Sequence, residues 1–172
     1  MMVTHMSMDA ERFRAIFGSF PTAVAIITAL DEHGEPRGFT CNAVCSVSAA
    51  PPTLLISVGK QSQTLPALES AGAFVVNFLA AAGEQASRVF AGKGRDKFAG
   101  LEWEPSVHAG GAPILTGIAL AHVECRTVQT VDAGDHWILI AEIHGGEKYP
   151  REPLLYCQGR YSPWPALATA AP

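Results

Sequence analysis

Aromatic and aliphatic side chains recur at helical spacing close to the start of the chain. They are Phe13, Ile16, Phe17 and Phe20. This pattern predicts an amphipathic helix over residues 10–20, with one face packed on the core of the protein. Ser7 or Asp9 would cap the first turn of this helix, and Pro21 would end it.

Apolar runs in the rest of the chain are short, rich in β-branched residues and separated by turn residues, which favours strands. The predicted strands cover residues 22–30, 37–44, 53–58, 73–79, 118–131, 136–143 and 154–157. Turns at residues 31–34 and 132–135 fold two pairs of these strands into hairpins. Short helices are predicted over residues 62–70 and 83–90, and a polar, glycine-bearing loop over residues 92–100.

This many strands with so few helices predict a mainly β fold, in which the helices pack around a closed or partly closed antiparallel barrel. A doubly wound nucleotide-binding sheet is disfavoured, because strands and long helices do not alternate and no GxGxxG motif follows the first strand. One domain is expected over residues 10–162, between a flexible N-terminus at residues 1–9 and an irregular tail at residues 163–172.

Composition narrows the classes of partner. The 172 residues are 48% hydrophobic and only 16% charged, with a formal net charge of −4, which argues against disorder and against a nucleic-acid partner. No apolar run approaches the roughly 20 residues of a membrane helix, and residues 1–9 lack the pattern of a secretory signal. We therefore expect a cytoplasmic protein without a membrane partner. Because so few charges cover a monomer poorly, a homodimer is favoured.

Cysteine and histidine residues are scattered along the chain. The four cysteines have no CxxC spacing and are expected to be free, partly buried thiols, with Cys41 and Cys45 facing the same way on one strand. The six histidines include no HExxH pair, so no metal site is predicted. P-loop and nucleophile-elbow motifs are also absent from the sequence. If the protein is an enzyme, the absence of these motifs favours a reaction whose chemistry is carried by a bound cofactor.

Five short segments occur in the order in which one known family carries them. They are Phe20–Val24, Gly38–Ser48, Pro51–Val58, Ser62–Thr64 and Gly134–His136. Together they resemble the flavin reductase-like family, which includes the small reductase components of two-component flavin-dependent monooxygenases. The resemblance runs from about Phe13 to Tyr161, almost the whole chain.

The resemblance implies an FMN-binding split β-barrel, usually a homodimer, with flavin bound near the subunit interface. It also implies that NADH or NADPH reduces FAD or FMN, and that the reduced flavin leaves for a separate monooxygenase. This chain has Cys41-Asn42-Ala43 where family members often carry Ala-Asn-Ser. The change removes one hydroxyl that would contact the flavin and leaves the backbone amide of Ala43 in its place.

The family resemblance implies that an extended segment of short side chains and backbone groups holds the flavin ring and ribityl chain. The matching residues are Thr40, Cys41, Asn42, Ala43, Ser46, Val47 and Ser48. Ser62 and Thr64, at the start of a predicted helix, would bind the flavin phosphate, with Arg88 and Phe98 as further contacts. Taken without the resemblance, these residues are equally well ordinary strand hydroxyls and a helix N-cap.

The segment Gly134-Asp135-His136 is the sharpest small motif in the chain. Gly134 permits a tight turn, His136 would position the nicotinamide, and Asp135 would orient the turn or the imidazole. Hydride transfer between nicotinamide and flavin requires no general base, so the catalytic role of His136 would be positioning. Tyr161 would close over the cofactor site or serve only in packing. Without the resemblance, the motif is a hairpin turn followed by a strand-initial histidine.

Two other functions are compatible with this sequence. A non-catalytic flavin-binding or flavin-storage protein would share the flavin segment, and only the turn at His136 favours an enzyme over it. A split-barrel oxidase would keep its flavin and act on an organic substrate of its own. No residue pattern separates FAD from FMN, or NADH from NADPH.

Overall fold

The computed structural model describes residues 8–94 and 96–163 of the chain. Within these residues the chain forms three α-helices: α1 (Ala10–Phe17), α2 (Leu65–Ala71) and α3 (Glu84–Ala91), the last preceded by a 3₁₀ turn at Ala81–Gly83. It also forms twelve strands: β1 (Thr22–Ala23), β2 (Ala25–Leu30), β3 (Pro36–Cys41), β4 (Val44–Ala49), β5 (Pro52–Gly59), β6 (Ala73–Leu79), β7 (Glu104–Pro105), β8 (Pro113–Ile114), β9 (Ala119–Ala133), β10 (His136–Lys148), β11 (Leu154–Cys157) and β12 (Arg160–Pro163). None of these helices is long and apolar enough to cross a bilayer.

Seven of the strands form one antiparallel sheet in the order β3-β2-β6-β9-β10-β5-β4. β3 and β4 follow one another in the chain but lie at opposite edges of this sheet, joined only by Asn42 and Ala43. The sheet therefore curls until its edges approach each other. The backbone N–H of Ser57 on β5 donates to the carbonyl of Ala43 at 3.1 Å, and the thiol of Cys41 donates to the carbonyl of Ser57 at 3.6 Å. We call the junction at Asn42 and Ala43 the seam.

The core lies on both faces of the central strands. All of β2 except its last residue is buried, and β6 is buried at every position but one. Alternate residues of β2 therefore contribute to different clusters, with Ile27 packing inside the curl against α2 and Ile26 packing outside it near α3. A second sheet, β1-β11-β12, and the short β7–β8 pair cover further parts of the large sheet. Buried apolar residues on both faces fix the positions of the strands that carry the seam.

A buried polar network fastens the β7–β8 region to the large sheet. Asn77 on β6 is fully buried, and its amide nitrogen lies 3.2 Å from the carbonyl of Ile26, 3.1 Å from the hydroxyl of Thr28 and 3.3 Å from the carbonyl of Pro113. Its amide oxygen accepts the backbone N–H of Leu115 at 2.8 Å. Every polar atom of the Asn77 side chain is thus satisfied, as a buried amide requires.

Helix α1 differs from its prediction. Asp9 caps it by accepting a backbone N–H of the first turn at 2.7 Å, as expected, but the helix ends at Phe17 and none of its residues is buried. The prediction that its apolar face packs on the core is wrong, because Phe13, Phe17 and Phe20 remain 51%, 53% and 49% exposed. Helical spacing identifies an apolar face but carries no information about what covers that face.

The strand predicted over residues 37–44 is interrupted. The chain leaves β3 after Cys41, crosses the seam and begins β4 at Val44. The prediction that Cys41 and Cys45 share one face is therefore wrong: Cys41 is buried and Cys45 is exposed on a different strand. All four cysteines are free thiols, as predicted. The predicted strands over residues 53–58, 73–79 and 154–157 are present, whereas β7, β8, β12 and nearly all of β4 were not predicted.

Candidate functional site

A groove of about 950 Å³ opens between α1 and the seam. We call it the aromatic groove. Its wall and ends are formed by Phe13, Phe17, Phe20, Asn42, Ala43, Leu55, Asp135, His136 and Ile138 among others. Apolar rings and aliphatic side chains line most of it, while polar groups gather at the seam and at the β9–β10 turn. This volume and mixture are typical of a site for a flat organic ligand.

The β9–β10 turn places His136 at one end of the aromatic groove. The turn is shorter than the predicted segment 132–135, since Ala133 pairs with His136 and only Gly134 and Asp135 lie between the strands. Gly134 adopts a φ of +73°, which a residue with a Cβ rarely tolerates. The ring of His136 lies beside Gly59 of the neighbouring strand, where an added Cβ would come within 3.7 Å of Nε2.

Asp135 and His136 form a close pair. Nδ1 of His136 lies 2.7 Å from Oδ1 of Asp135, and the hydrogen bond from the imidazole holds the pKa of this carboxyl below its usual value. An ionised carboxylate only accepts, so Nδ1 carries the proton of this bond. In the neutral imidazole Nε2 is then a free acceptor, ready for an N–H group of a ligand.

Lys60 fastens the turn, a role that the sequence did not reveal. Its backbone N–H donates to the carbonyl of Asp135 at 3.0 Å, and its ammonium group donates to Asp132 at 2.7 Å. That hydrogen bond lowers the pKa of the Asp132 carboxyl. The same ammonium lies 4.7 Å from the ring centroid of Trp137, a cation–π contact. These contacts hold β5 to the turn and so fix the position of His136.

Three smaller cavities continue the aromatic groove. The first, of about 550 Å³, is lined by Gly59, Lys60, Gln61, Ser62, Asp135 and His136, and we call it the turn groove. The other two, of about 280 Å³ and 520 Å³, share Gln63, Thr64 and Lys97, and we call them together the basic groove. Because the turn groove shares His136 with the aromatic groove and Ser62 with the basic groove, the cavities form a continuous path.

Many of the residues predicted to contact the flavin line this path. They are Thr40, Asn42, Ala43, Ser62, Thr64, Phe98, Asp135 and His136. Thr64 occupies the N-cap position of α2 but makes no capping hydrogen bond with its side chain. The hydroxyl of Ser62 instead accepts the backbone N–H of Thr64 at 3.3 Å. The structure thus brings the seam, the His136 turn and the segment at residues 62–64 to one continuous surface.

Other predicted contacts lie away from the path. Cys41 is buried, and burial raises the pKa of its thiol to about 11, so the group stays protonated. Ser46, Val47 and Ser48 lie on the exposed edge strand β4, where Val47 is an extra residue that bulges out between the pairs formed by its neighbours. The hydroxyl of Ser48 accepts the backbone N–H of Ala50 at 3.1 Å.

Arg88 and Tyr161 form a cluster on the outer side of α3. The guanidinium of Arg88 donates to Glu84 at 2.8 Å and stacks 4.7 Å from the ring centroid of Tyr161. The Tyr161 hydroxyl lies 2.9 Å from the hydroxyl of Ser87, whose carbonyl accepts the hydroxyl proton of Thr40 at 2.6 Å. These contacts give Arg88 and Tyr161 structural partners and hold α3 against β3.

The path offers positioning groups rather than a catalytic acid, base or metal. In the part of the chain that the structure describes, no three His, Cys, Asp or Glu side chains are placed to share a metal ion. The aromatic groove supplies flat apolar surfaces, the seam supplies backbone groups, and His136 supplies one imidazole nitrogen. Such a site suits chemistry carried by a bound organic molecule.

The fold is a mainly antiparallel β-sheet that curls to a seam, and the seam bears a ligand-sized groove and a histidine turn. This combination is that of a split-barrel protein with a site suited to a flat organic ligand. The chain belongs to the family described as flavin reductase like domain, whose model matches residues 17–165. This match confirms the family resemblance and, with the related structures, the predicted split-barrel fold.

Three similar proteins illustrate the relationship. The chain is 42% identical over 160 residues to a flavin reductase (NADH) from Kitasatospora aureofaciens, which covers 92% of this chain and 83% of that protein. It is 38% identical over 157 residues to the reductase subunit HsaB of a flavin-dependent monooxygenase from Rhodococcus jostii, covering 91% and 78%. The structure superposes with a TM-score of 0.86 on the NADH:FAD oxidoreductase SgcE6 from Streptomyces globisporus in complex with NAD and FAD fragments, at 36% identity and covering 93% and 95% of the two chains.

Proposed function

We propose that this protein is an NAD(P)H:flavin oxidoreductase, which reduces FAD or FMN with NADH or NADPH and supplies the reduced flavin to a separate monooxygenase. The observation that carries the proposal is the meeting of the aromatic groove with the His136 turn. One surface therefore offers an apolar slot for a flavin ring and, at the end of that slot, an acceptor for a nicotinamide. The family relationship supports the same reading.

The residues of the aromatic groove fit an isoalloxazine ring. Half-exposed phenylalanine rings line the groove, and the exposed Asn42 at the seam offers an amide side chain. A tricyclic ring with a hydrogen-bonding edge needs this combination of flat apolar contact and short polar groups. Asn42 is only weakly engaged within the protein, since its side-chain nitrogen lies 3.4 Å from the hydroxyl of Thr22.

His136 is proposed to orient the nicotinamide. Its Nδ1 is held by Asp135, so Nε2 accepts an N–H of the carboxamide group, and the fastening of the turn by Lys60 limits movement of the imidazole. Hydride passes from the reduced nicotinamide to the flavin when both are bound, and this step needs alignment rather than a protein acid or base. The chain contributes by binding and orienting the two molecules.

The open aromatic groove is consistent with a flavin that binds and dissociates in each turnover. Phe13, Phe17 and Phe20 are each about half exposed, so no buried wall separates the aromatic groove from solvent. Reduced flavin reacts with oxygen once it is released, so an enzyme that uses it must act quickly. We propose a monooxygenase in that role. The similarity to a monooxygenase reductase subunit supports this proposal.

We propose that a second copy of the chain covers the aromatic groove. α1 leaves Phe13, Ile16 and Phe17 exposed on one face, a contiguous apolar surface of the kind that marks an interface. A homodimer buries this face and brings a second subunit beside the flavin. We further propose a single domain over residues 10–162 and a cytoplasmic location, which suits the four free thiols and a nicotinamide substrate.

Phe17→Glu is expected to shift the protein from dimer to monomer, because a carboxylate on the face of α1 would have to be desolvated in the interface. We expect the dimer dissociation constant to rise about 100-fold, measured by sedimentation equilibrium. Ala15→Glu places the same charge on the opposite, solvent-facing side of α1 and should leave the dimer intact. A wild-type protein that sediments as a monomer at all concentrations would contradict the dimer.

Steady-state oxidation of NADH and of NADPH, each with FAD and with FMN, tests the proposed function. Rapid oxidation that depends on added free flavin is expected, with the reduced flavin detected in solution under anaerobic conditions. A protein that binds flavin tightly but oxidises neither nicotinamide would instead be a flavin-binding protein. One that retains its flavin and turns over only with an organic substrate would be an oxidase.

A further inference from the structure

The outer face of β9 carries two buried polar residues that lie outside the ligand path described above. Val123 and Cys125 pack inside the curl of the sheet, so the alternate residues His122 and Glu124 point to the opposite face. The two polar residues are only 5% and 6% exposed. His122 pairs with Glu147, near the end of β10 that lies farthest from the β9–β10 turn.

Residues 104–114, which include β7 and β8, cover this polar pair, and we call them the outer segment. Apolar side chains of the outer segment pack against Ala73 and Val75 of β6. The backbone N–H of His108 in the segment donates to the carboxylate of Glu124. The outer segment is therefore held to the sheet by an apolar contact and by one buried carboxylate.

The attachment of the outer segment is close but incompletely satisfied. An added Cβ at Gly145, opposite Glu124 on β10, would come within 2.7 Å of Cδ2 of His108 and 2.9 Å of Oε1 of Glu124. The absence of a side chain at Gly145 thus permits this approach. The hydroxyl oxygen of Ser106 is buried and has no hydrogen-bond partner among the described residues. A buried hydroxyl without a partner favours any state that admits water.

His122 lies among carboxylates from three strands. These are Glu104 on β7, Glu124 on β9 and Glu147 on β10, and each favours the charged imidazole. Burial has the larger effect and lowers the pKa of His122 below its ordinary value of 6.5. In the part of the chain that the structure describes, none of these carboxylates lies within ion-pair distance of the ring. The ring is therefore neutral at neutral pH, and a proton would charge it where little water reaches it.

Tyr149, Arg151 and Asn77 complete the surroundings of His122. The Tyr149 hydroxyl lies 3.1 Å from Nδ1 of His122, and the two rings stack with their centroids 5.9 Å apart. The guanidinium of Arg151 lies 5.1 Å from the centroid of the Tyr149 ring. Asn77, directly opposite His122 on β6, is uncharged. A charged imidazole would thus lie near one guanidinium as well as near the carboxylates.

We propose that His122 is an acid-sensitive switch that controls how firmly the outer segment is attached to the sheet. When the imidazole takes up a proton, two changes favour release of the segment. The new charge is fully hydrated only when the cover is removed, and it attracts the carboxylate of Glu124 away from the N–H of His108. Release also gives the hydroxyl of Ser106 access to water. This inference does not depend on the proposed reductase activity.

The direction of the pH effect follows from the proton affinities of the two states. His122 has its ordinary pKa of 6.5 when the segment is open and binds a proton less readily when the segment is closed. The contribution of His122 to the attachment is therefore complete above this pH and is lost as the pH falls toward the lower pKa of the closed state. From about pH 7.5 to about pH 5.5 the open population should rise by up to about tenfold.

Hydrogen–deuterium exchange of backbone amides tests the proposal in the full-length protein. It is measured at about pH 7.5 and about pH 5.5 and corrected for the intrinsic exchange rate. Protection of residues 104–114 in the wild type should fall by up to about tenfold, whereas protection of β2 and β6 should stay constant. In His122→Gln, whose side chain cannot titrate, protection of the outer segment should be the same at both pH values. His144→Gln removes an exposed histidine from β10 and should behave like the wild type.

Each protein is compared with itself at two pH values, so a general loss of stability in His122→Gln does not disturb the comparison. An NMR titration of the His122 ring in the wild type is an independent measurement, and we expect a midpoint below 6.5. Protection that is unchanged by acid in the wild type, or that falls equally in His122→Gln, would overturn the switch. A loss that spreads equally over β2 and β6 would also overturn it, because acid would then unfold the whole protein rather than release one segment.

Discussion

Substitution of His136 by alanine is expected to lower kcat/KM for the reduced nicotinamide about 100-fold, the cost of losing alignment at a hydride-transfer site. The effect should appear mainly in the KM for NADH or NADPH, because His136 is proposed to hold the nicotinamide. The Kd for flavin should change less than about threefold, since the seam and the rings of α1 remain intact. Steady-state kinetics and fluorescence titration measure the two effects separately.

His33 provides a matched control for this experiment. It also lies at a hairpin turn beside an acidic neighbour, with Nε2 of His33 lying 3.5 Å from Glu32, but it lines none of the grooves described above. His33→Ala should leave both the kinetics and flavin binding unchanged. An equal loss of nicotinamide and flavin affinity in His136→Ala would show that the residue supports the whole site rather than the nicotinamide.

Asn77→Leu is expected to lower the free energy of unfolding by about 4 kcal/mol, because it removes every hydrogen bond of a buried amide and leaves the backbone N–H of Leu115 without its acceptor. The backbone N–H of Leu115 loses its acceptor at 2.8 Å, and the carbonyls of Ile26 and Pro113 lose a donor. Leucine has the same branched shape as asparagine, but its two methyl groups are bulkier than the amide oxygen and nitrogen, so overpacking adds to the loss. Urea denaturation followed by circular dichroism measures the change.

Gln85→Leu is the control for Asn77→Leu. It converts an amide to the same apolar residue on the exposed surface of α3, and we expect the midpoint of the urea transition to stay within experimental error. A change of less than about 1 kcal/mol for Asn77→Leu would mean that water or a local shift replaces the lost hydrogen bonds. In that case the network would not be what holds the β7–β8 region.

The local sequence predicts elements well where tertiary contacts agree with it. β5 and β6 are compact runs of apolar and β-branched residues, and both occur where predicted. The break at the seam escaped prediction because Cys41, Asn42, Ala43 and Val44 include no glycine or proline to interrupt the strand. The interruption is imposed by the curl of the sheet, which carries the chain from one edge to the other.

The site shows the same limit. The Gly134 turn could be predicted because a two-residue hairpin has a local signature. Lys60 and Lys97 could not, since the partners of Lys60 at Asp132 and of Lys97 at Gly38 lie far away in the sequence. The aromatic side chains of α1 could be predicted from their helical spacing, but their position beside the seam depends on how α1 packs against the rest of the protein. Sequence reasoning thus found the residues that act through local geometry and missed those that act across strands.

The extra residue at Val47 also affects how the protein behaves at high concentration. β4 is an edge strand of six residues without a single charge, and such an edge is an open template for pairing with another chain. Because Val47 bulges out between Ser46 and Ser48, the outward hydrogen-bonding groups of β4 fall out of regular spacing. An approaching strand can match only part of this edge. The bulge therefore disfavours the pairing of β4 with strands of other molecules. On an edge strand without the bulge, charged side chains would be needed to prevent such pairing.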